Sequence, residues 1–330
     1  MSNGAKPVIA IDAMGGDHGP EVIVPGVVAA LTPDSPFTAA IYGDRDAVAQ
    51  VMDGLDTTDL PLEIRHCSED IAMGESPASA IRKRKDSPIV RAMSDQKAGQ
   101  VQAVVSAGST GAMVAASLII LGRLPGVDRP AIGTVIPTLK GLSLLLDAGA
   151  NLQCTTDHLL TFAAMGDIYA REILGCERPR VGLLNIGGEA GKGTEILVET
   201  HARLDASRLE FVGNVEGNQI LLGGCDVIVT DGFTGNNTLK LLEGFAIFMA
   251  ELARSSEVPD QLRASLPPIL QYLLAHFSYE VYGGAMLLGV DGISIIAHGR
   301  SSARAVTNAV KVAWQQVEKS LPSRMTGLAL

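Results

Sequence analysis

The sequence is poor in aromatic residues, which make up 4% of its 330 residues, and its four cysteines lie far apart. Cys67, Cys154, Cys176 and Cys225 form no C-x-x-C pair, so their spacing indicates neither a disulfide framework nor a zinc site. Basic residues are also in deficit, because 36 Asp and Glu against 26 Lys and Arg leave a formal net charge of −10. We therefore expect a reducing, cytoplasmic location and no nucleic-acid partner.

Long uninterrupted hydrophobic runs are scarce. The apolar run at residues 8–11 ends at Asp12, so no signal peptide is predicted. Residues 98–122 carry no charge and are long enough to cross a bilayer, but turn residues from Gly108 to Gly111 interrupt them. A buried strand followed by a buried helix explains this run better than a membrane span.

Small aliphatic residues dominate what the sequence does contain. Hydrophobic residues make up 47% of the chain, which suits interior strands covered by helices. Strand-like runs, such as residues 8–12, 39–43 and 62–66, alternate with helix-like stretches, including a later helix that starts near Asn237. The alternation predicts an α/β fold with a largely parallel sheet and helices on both of its faces.

Polar residues follow one predicted strand after another, usually beside a glycine. They are Asp12, Ser106, Asp147, Asn185, Asn214, Asp231 and His298. Because the carboxyl ends of parallel strands meet at one edge of a sheet, these residues predict a shared active site there. Ser301, just after the last strand, is expected to cap the C-terminal helix.

The loop from Ser106 to Gly111 (SAGSTG) carries the strongest local signal, because it opens a helix of small residues directly after a strand. The free N–H groups and the positive dipole end of such a helix favour an anion, most simply phosphate. The alternative is that Gly108 and Gly111 only allow the turn while Ser109 or Thr110 caps the helix.

Several familiar catalytic motifs are absent. No G-x-G-x-x-G is present, which weakens a nicotinamide dehydrogenase reading, and the glycine-rich loop around Lys192 has the wrong spacing for a Walker motif. The sequence GRSSA, at residues 299–303, resembles a nucleophile elbow, but no Asp or His follows it to complete a hydrolase triad. Neither H-E-x-x-H nor an EF-hand pattern occurs, so we expect no metal and no other cofactor.

The chemistry that remains is rich in hydrogen-bond donors but has no obvious protein nucleophile. It suits a reaction in which a bound anion is itself the nucleophile, such as inorganic phosphate attacking a thioester. The phosphate charge needs the helix N-terminus and the loop lysine, and the tetrahedral intermediate needs preorganised donors. The thiol leaving group, with a pKa near ~8.5, needs little protonation to depart.

Two surface patterns fall outside this chemistry. One is a basic cluster that consists of Arg82, Lys83, Arg84, Lys85 and Arg91. It is either a solvated helix face or a docking face for an acidic partner. An apolar series at helical spacing includes Leu262, Leu266, Ile269 and Leu270. This spacing is typical of a core helix or a dimer helix.

Nine ordered blocks carry a family resemblance over nearly the whole chain. They are residues 9–20 (IAIDAMGGDHGP), 81–90 (IRKRKDSPIV), 106–112 (SAGSTGA), 145–151 (LLDAGAN), 183–195 (LLNIGGEAGKGTE), 211–217 (FVGNVEG), 226–236 (DVIVTDGFTGN), 282–292 (YGGAMLLGVDG) and 297–302 (AHGRSS). Together they resemble the bacterial phosphate acyltransferase family known as PlsX. The resemblance implies transfer of a long-chain acyl group from acyl-carrier protein to inorganic phosphate, giving acyl phosphate for phospholipid synthesis, without metal or nucleotide.

The resemblance also implies an architecture. The expected fold is a three-layer α/β/α sandwich with a large, mostly parallel mixed sheet, similar to isocitrate and isopropylmalate dehydrogenases and to phosphotransacetylase. One catalytic domain would span residues 1–330, with an inserted amphipathic helical segment at about 255–282 for dimer and membrane contact. The expected protein is a cytoplasmic homodimer, peripherally attached to the inner membrane surface, that hands acyl phosphate to a downstream acyltransferase.

Individual roles follow from the same resemblance. Lys192 would neutralise phosphate or the oxyanion as a catalytic residue, with Asp231 and Asn236, and these last two would orient the thioester together with Asn185 and Asn214. The expected substrate-binding residues are Asp12, Gly15, Gly16, Asp17, Ser106, Gly108, Ser109, Thr110, Gly111, Asn151, Asn185, Asn214, Gly235, His298 and Ser301. The basic cluster would dock the acidic carrier protein, and the apolar series would contact the membrane.

The sequence departs from the family's commonest wording at Gly188, Thr194, Ser109, Met286 and Arg300. These changes bear on single hydrogen bonds rather than on the reaction. Two other functions stay open: a phosphotransacetylase-like enzyme that uses acyl-CoA, and a non-catalytic membrane scaffold that binds carrier protein. A dehydrogenase on the same fold is disfavoured by the missing dinucleotide motif.

Overall fold

The computed structural model describes residues 6–72, 74–254 and 282–328. The chain divides into two compact units. The first contains the described residues up to Pro130 and those from Tyr282 to Leu328, and the second runs from Ala131 to Arg254 within the described residues. The apolar series with Leu262, Leu266, Ile269 and Leu270 lies outside the described residues. The expectation of a single catalytic domain over residues 1–330 stays a prediction.

Among the described residues, the first unit contains six strands and the helices that cover them. Its N-terminal elements are β1 (Val8–Asp12), α1 (Pro20–Ala30), β2 (Thr38–Gly43), α2 (Arg45–Met52), β3 (Leu62–His66), α3 (Pro77–Lys83), α4 (Pro88–Lys97), β4 (Ala103–Ser106), α5 (Thr110–Ala116) and a π-helical turn (Ser117–Leu121). The C-terminal elements of the first unit, numbered after those of the second unit, are β10 (Ala285–Leu288), β11 (Ser294–Ile296), α9 (Ala303–Glu318) and α10 (Leu321–Arg324). The strand order is β3-β2-β1-β4-β11-β10, and all pairs are parallel except β10 with β11.

Helices cover the strands of this unit in two groups. Helices α1 and α9 pack against each other, and α9 also contacts β4 and β11. Helix α4 packs on β1, β2 and β4 and also contacts α5. The close α1–α9 crossing requires Gly26, because a Cβ there would lie 2.6 Å from the carbonyl oxygen of Ala303. Strands β1 and β4 are almost wholly buried, which explains why they read as continuous apolar runs rather than alternating ones.

Within the described residues, the second unit has five strands. Its elements are β5 (Ala131–Thr138), β6 (Gly141–Leu146), α6 (Thr156–Glu172), β7 (Arg180–Asn185), α7 (Glu195–Asp205), β8 (Glu210–Glu216), a 3₁₀ turn (Gly217–Leu222), β9 (Val227–Val229) and α8 (Gly232–Arg254). The strand order is β5-β6-β9-β7-β8, in which β5 and β6 form an antiparallel hairpin and the other pairs are parallel. Helix α6 packs on β6, β7 and β9, where Gly166 lets its backbone approach Val227.

The predicted α/β class with mostly parallel, mixed strands is confirmed, and three details of the sequence reading are wrong. Helix α8 begins at Gly232 rather than near Asn237, because its first turn tolerates two glycines. Asn214 lies inside β8 rather than at its end. Strand β10 was not expected, because its Met and Leu residues lack the β-branched signal of a strand. Within the described residues, no helix combines the length and the hydropathy that a membrane span requires.

Candidate active site

The loops that follow β1 and β4 meet through a buried hydrogen-bond chain. Asp12 and Ser106 are register partners at the ends of these parallel strands, and both are buried. The Ser106 hydroxyl donates to Asp12 Oδ2 at 2.7 Å and accepts the Gly108 N–H at 3.0 Å. Asp12 Oδ1 accepts the N–H groups of Met14 at 3.0 Å and Gly15 at 3.1 Å. Burial raises the pKa of Asp12, although its hydrogen bonds from Ser106, Met14 and Gly15 act in the opposite direction.

Only glycine fits where these two loops touch. A Cβ on Gly15 would lie 2.6 Å from the Gly108 nitrogen and 2.9 Å from Asp12 Oδ2. The loop after β11 joins them, because Asp17 N–H donates to the carbonyl oxygen of Gly299 at 2.8 Å. We call residues 12–17, 106–111 and 297–301 the three-loop cluster. The structure thus brings together the expected residues of the first unit, at the carboxyl ends of three adjacent strands.

Two helices start in the three-loop cluster. Ser109 caps α5, since its Oγ accepts the Ala112 N–H at 3.4 Å. Ser302, and not the expected Ser301, caps α9 by accepting the Ala305 N–H at 3.3 Å. The prediction for Ser301 is wrong because the helix starts one residue later than a Ser301 cap requires. Instead, the Ser301 hydroxyl is buried and has no hydrogen-bond partner within the described residues.

The surface of the cluster carries the remaining expected residues. Asp17, Thr110, Gly111 and His298 are exposed. His298 Nδ1 accepts the Arg300 N–H at 3.1 Å, which orients the imidazole ring along the loop. The first N–H groups of α5 have no carbonyl one turn earlier in the helix to receive them. The cluster therefore offers backbone N–H donors and small polar groups to a bound anion.

Asp147 organises a second cluster, in the second unit. It follows β6, is fully buried, and its Oδ1 accepts the N–H groups of Ile132 at 3.0 Å, Gly149 at 3.0 Å and Ala150 at 2.9 Å. Its Oδ2 accepts the backbone N–H of Asn151 at 2.7 Å and the side-chain amide of Asn151 at 2.9 Å. This carboxyl group fixes the loop that carries Asn151. The sequence pattern placed Asp147 among the polar residues of the predicted shared active site, but it assigned Asp147 no individual role.

The same loop packs on the start of α8. Gly232 N–H donates to the carbonyl oxygen of Asn151 at 2.7 Å, and Gly235 lies so close to Asp147 that a Cβ would overlap its carbonyl oxygen. Asp231 caps the helix, because its carboxylate accepts both the N–H of Thr234 at 2.8 Å and its hydroxyl at 2.9 Å. Asn236 lies beside Gly149, and its side chain forms no hydrogen bond within the described residues. Of these two expected catalytic residues, Asn236 has the freer side chain.

Two asparagines hold the loop that carries Lys192. We call residues 186–193 the lysine loop. Asn185 ends β7, and its Nδ2 donates to the carbonyl oxygen of Lys192 at 3.0 Å. Asn214 Nδ2 donates to the carbonyl oxygen of Glu189 at 2.8 Å. Lys192 itself is exposed and forms no ion pair with any described residue. The expected role of these two asparagines in orienting the thioester stays a prediction.

Salt bridges neutralise part of the basic cluster. Arg91 lies 2.5 Å from Asp86, and Arg84 lies 3.7 Å from Glu75. Hydrogen bonds from Ser68 and Arg91 lower the pKa of Asp86 to about 2. Three exposed cations, Arg82, Lys83 and Lys85, form no ion pair among the described residues. Any docking face formed by the end of α3 and the residues just after it therefore depends on these three cations.

Solved structures define the fold class of the chain. A phosphotransacetylase from Streptococcus pyogenes is similar with a TM-score of 0.63 at 15% identity, covering 94% of each chain. A branched-chain phosphotransacylase from Enterococcus faecalis gives 0.60 at 14% identity over 94% of this chain and 99% of its own. A 4-hydroxythreonine-4-phosphate dehydrogenase from Klebsiella pneumoniae gives 0.54 at 14% identity over 96% and 99%. The protein therefore has the fold shared by phosphotransacetylases and these dehydrogenases, as expected.

Sequence relatives narrow this class to one family. A family model described as "Fatty acid synthesis protein" matches residues 8–324. The phosphate acyltransferase of Desulforamulus reducens is 47% identical over 322 residues, which cover 95% of this chain and 94% of that protein. That of Moorella thermoacetica is 47% identical over 325 residues, covering 97% and 95%. The chain belongs to the phosphate acyltransferase family, which confirms the resemblance read from its sequence blocks.

Proposed function

We propose that the protein transfers a long-chain acyl group from acyl-carrier protein to inorganic phosphate and so supplies acyl phosphate for phospholipid synthesis. A phosphate oxygen attacks the thioester carbonyl, the C–S bond breaks, and the proton of hydrogen phosphate ends on the departing thiol. The products are acyl phosphate and free carrier protein. Lys192 balances the charge of phosphate or of the tetrahedral oxyanion, and the Asn236 amide supplies a donor for the thioester.

The hydrogen bonds of the Ser106 hydroxyl are the observation that supports this proposal most directly. The hydrogen of this hydroxyl points to buried Asp12 and its oxygen accepts the Gly108 N–H, so Ser106 is held as a structural link. Ser109 is likewise engaged as a helix cap. Neither Ser106 nor Ser109 is therefore a free nucleophile, and the hydroxyl of Ser301, the third serine of the three-loop cluster, is buried. This favours bound phosphate as the attacking group.

The reaction is tested by thiol release from palmitoyl-carrier protein with and without inorganic phosphate, with hydroxylamine added to trap acyl phosphate. Phosphate-dependent thiol release together with hydroxamate supports the proposal. Equal or faster turnover of palmitoyl-CoA supports the CoA-dependent alternative instead. Binding of carrier protein without turnover of either donor leaves the scaffold function.

Replacing Lys192 by alanine is expected to lower kcat/KM for phosphate by roughly 10²- to 10³-fold, the usual loss when one charge-stabilising donor is removed. The fold should be unaffected, because Lys192 is exposed and unpaired among the described residues. Steady-state kinetics in phosphate measure the loss. Lys311→Ala, another exposed lysine, is the matched control. Wild-type phosphate kinetics in the Lys192→Ala variant would remove Lys192 from the mechanism.

The basic cluster distinguishes the two acyl donors. Carrier protein is acidic and docks over an area, so Arg82→Glu with Lys83→Glu should raise its KM by roughly tenfold at low salt. Turnover of palmitoyl-CoA should change much less, because a small donor does not need this surface. Lys311→Glu with Lys319→Glu gives the same charge change elsewhere. Equal effects of the two pairs, or equal loss with both donors, would contradict a docking role.

A homodimer belongs to the same proposal, supported by an apolar stripe on α8. Leu241, Phe245, Phe248 and Leu252 recur on one face of this helix and are 73%, 57%, 58% and 39% exposed. Such a contiguous patch marks an interface. A second copy is the proposed occupant, and sedimentation should show Phe245→Glu as a monomer while Lys240→Glu stays dimeric. A monomeric wild type would end this part of the proposal.

Peripheral membrane contact through residues 255–282 also belongs to the proposal. Leu266→Glu with Ile269→Glu is expected to abolish liposome flotation of a protein that is still dimeric, because two charges on an interfacial apolar face oppose its insertion. Unchanged flotation would show that the contact lies elsewhere. The same surface position would place acyl phosphate near a downstream acyltransferase.

A further inference from the structure

We propose that His201 is a positioning residue for Lys192, acting through Asn214 and the backbone of the lysine loop. The inference rests on the proposed function, in which Lys192 balances phosphate or oxyanion charge. His201 lies on α7 and Asn214 on β8, so neither belongs to the lysine loop. What connects them to Lys192 is a short chain of hydrogen bonds.

The end of that chain is the turn from Glu189 to Lys192. Glu189 carbonyl oxygen accepts two N–H groups, that of Lys192 at 3.0 Å and the side-chain amide of Asn214 at 2.8 Å. Asn185 Nδ2 holds the carbonyl oxygen of Lys192 at 3.0 Å. The peptide on each side of the Lys192 Cα is therefore fixed, which sets the direction in which the lysine side chain leaves the loop.

Asn214 can donate to Glu189 only in one orientation of its amide. Its Nδ2 faces the loop when its Oδ1 faces the opposite way, and there Oδ1 lies 3.0 Å from His201 Nδ1. A protonated Nδ1 donates to this oxygen and locks the amide. Without that donor the amide can turn its oxygen toward the Glu189 carbonyl oxygen, and two acceptors then repel each other. Asn214 is buried, so water replaces the lost bond poorly.

The imidazole ring is itself held in place. Its edge packs on Phe211 with ring centroids 5.0 Å apart and an interplanar angle of 79°. The ring is only partly buried. The ring forms no hydrogen bond with the lysine loop among the described residues, and its hydrogen bond goes to Asn214. Its effect on catalysis is expected to pass entirely through Asn214 and Lys192.

Two substitutions separate the hydrogen bond from the packing. His201→Leu keeps an apolar side chain against Phe211 but removes the donor, whereas His201→Asn loses the ring but keeps an N–H at the position of Nδ1. We expect His201→Leu to lower kcat/KM for phosphate by roughly 3- to 10-fold, the worth of one hydrogen bond, with KM for acyl-carrier protein unchanged. His201→Asn should retain most of the activity. The reverse order of the two variants would overturn the inference.

A double-variant comparison tests whether His201 acts through Lys192. In a Lys192→Ala background, His201→Leu should have no further effect on phosphate kinetics, because both changes remove the same contribution. An undiminished effect in that background would show that His201 acts by another route and would overturn the inference.

Hydrogen exchange followed by mass spectrometry makes the inference independent of turnover. Exchange in a peptide spanning residues 186–193 should accelerate in His201→Leu and stay near wild type in His201→Asn. Equal exchange in all three proteins would overturn the positioning role. If the wild type proves inactive with phosphate while the exchange pattern appears, the proposed function fails and the loop contact stands.

Discussion

Asp147→Ala is expected to lower the free energy of unfolding by roughly 3 kcal/mol or more, since each buried donor left unpaired costs about 1–3 kcal/mol. The change deprives Ile132, Gly149, Ala150 and both N–H groups of Asn151 of their acceptors. The hydrogen bond of the Ile132 N–H is buried, so solvent replaces it poorly. The loop with Asn151 and the adjoining start of α8 would lose their support together.

Denaturation monitored by two signals measures this effect and locates it. The single tryptophan, Trp314, lies on α9 and reports on the first unit, whereas far-ultraviolet circular dichroism reports on both. Asp205→Ala is the control, because it removes an exposed carboxylate from the second unit, which also contains Asp147. It should change the free energy of unfolding by no more than about 0.5 kcal/mol. Asp147→Asn should fall between the two, because it keeps one acceptor oxygen. An Asp147→Ala protein as stable as Asp205→Ala would show that these hydrogen bonds add no net stability.

Gly235→Ala has the second large expected effect, although alanine is the better helix former. The added Cβ would overlap the Asp147 carbonyl oxygen, so helix or loop must shift. Overpacking of this kind costs roughly 1–3 kcal/mol and sometimes more, and the gain in helix propensity returns at most about 1 kcal/mol. We expect a net loss of stability and, because Asn236 and Asp231 are displaced with the helix, a fall in kcat.

The same helix supplies the control. Gly244 also lies within α8, and nothing lies within 4 Å of the Cβ that alanine would add there. Gly244→Ala should therefore stabilise the protein by up to about 1 kcal/mol. Thermal unfolding and steady-state kinetics of both variants are the measurements. If the two substitutions shift stability in the same direction, steric overlap does not decide the outcome at Gly235.

Much of the fold could be predicted because its strands are buried on both faces. Residues 8–12 and 103–106 are continuous apolar runs, and each ends in a polar residue that the structure places in register with the other. The reading was wrong where local signals are weak. Strand β10 has no β-branched residues, and the start of α8 is set by the contact of Asp231 with Thr234, which the glycine-rich sequence hides.

The sequence predicted where the candidate site residues lie in the fold, but it did not predict the structural role of each one. The pattern of polar residues after strands located Asp12, Ser106 and Asn185. It could not show that Asp147 supports a whole loop, because the five hydrogen bonds to this carboxylate form only when the tertiary structure brings their donors together. His201 gave no signal either, since its partner lies on another element and only the register of β7 and β8 brings Asn214 to the lysine loop.

The first unit is built from two segments of the chain that are separated in sequence by the second unit, and this affects folding during synthesis. Strand β4 pairs with β1 early, but its other neighbour, β11, is translated only after the whole second unit. Until then β4 is an open edge, and Ser106 lacks the Ala297 N–H that its carbonyl oxygen accepts. Within the described residues the second unit is one continuous stretch of chain, so it can become compact before the last strands of the first unit are made. On the ribosome, the nascent protein would therefore expose the unpaired edge of β4 for most of its synthesis. We expect chaperones to protect this aggregation-prone edge until β11 is made.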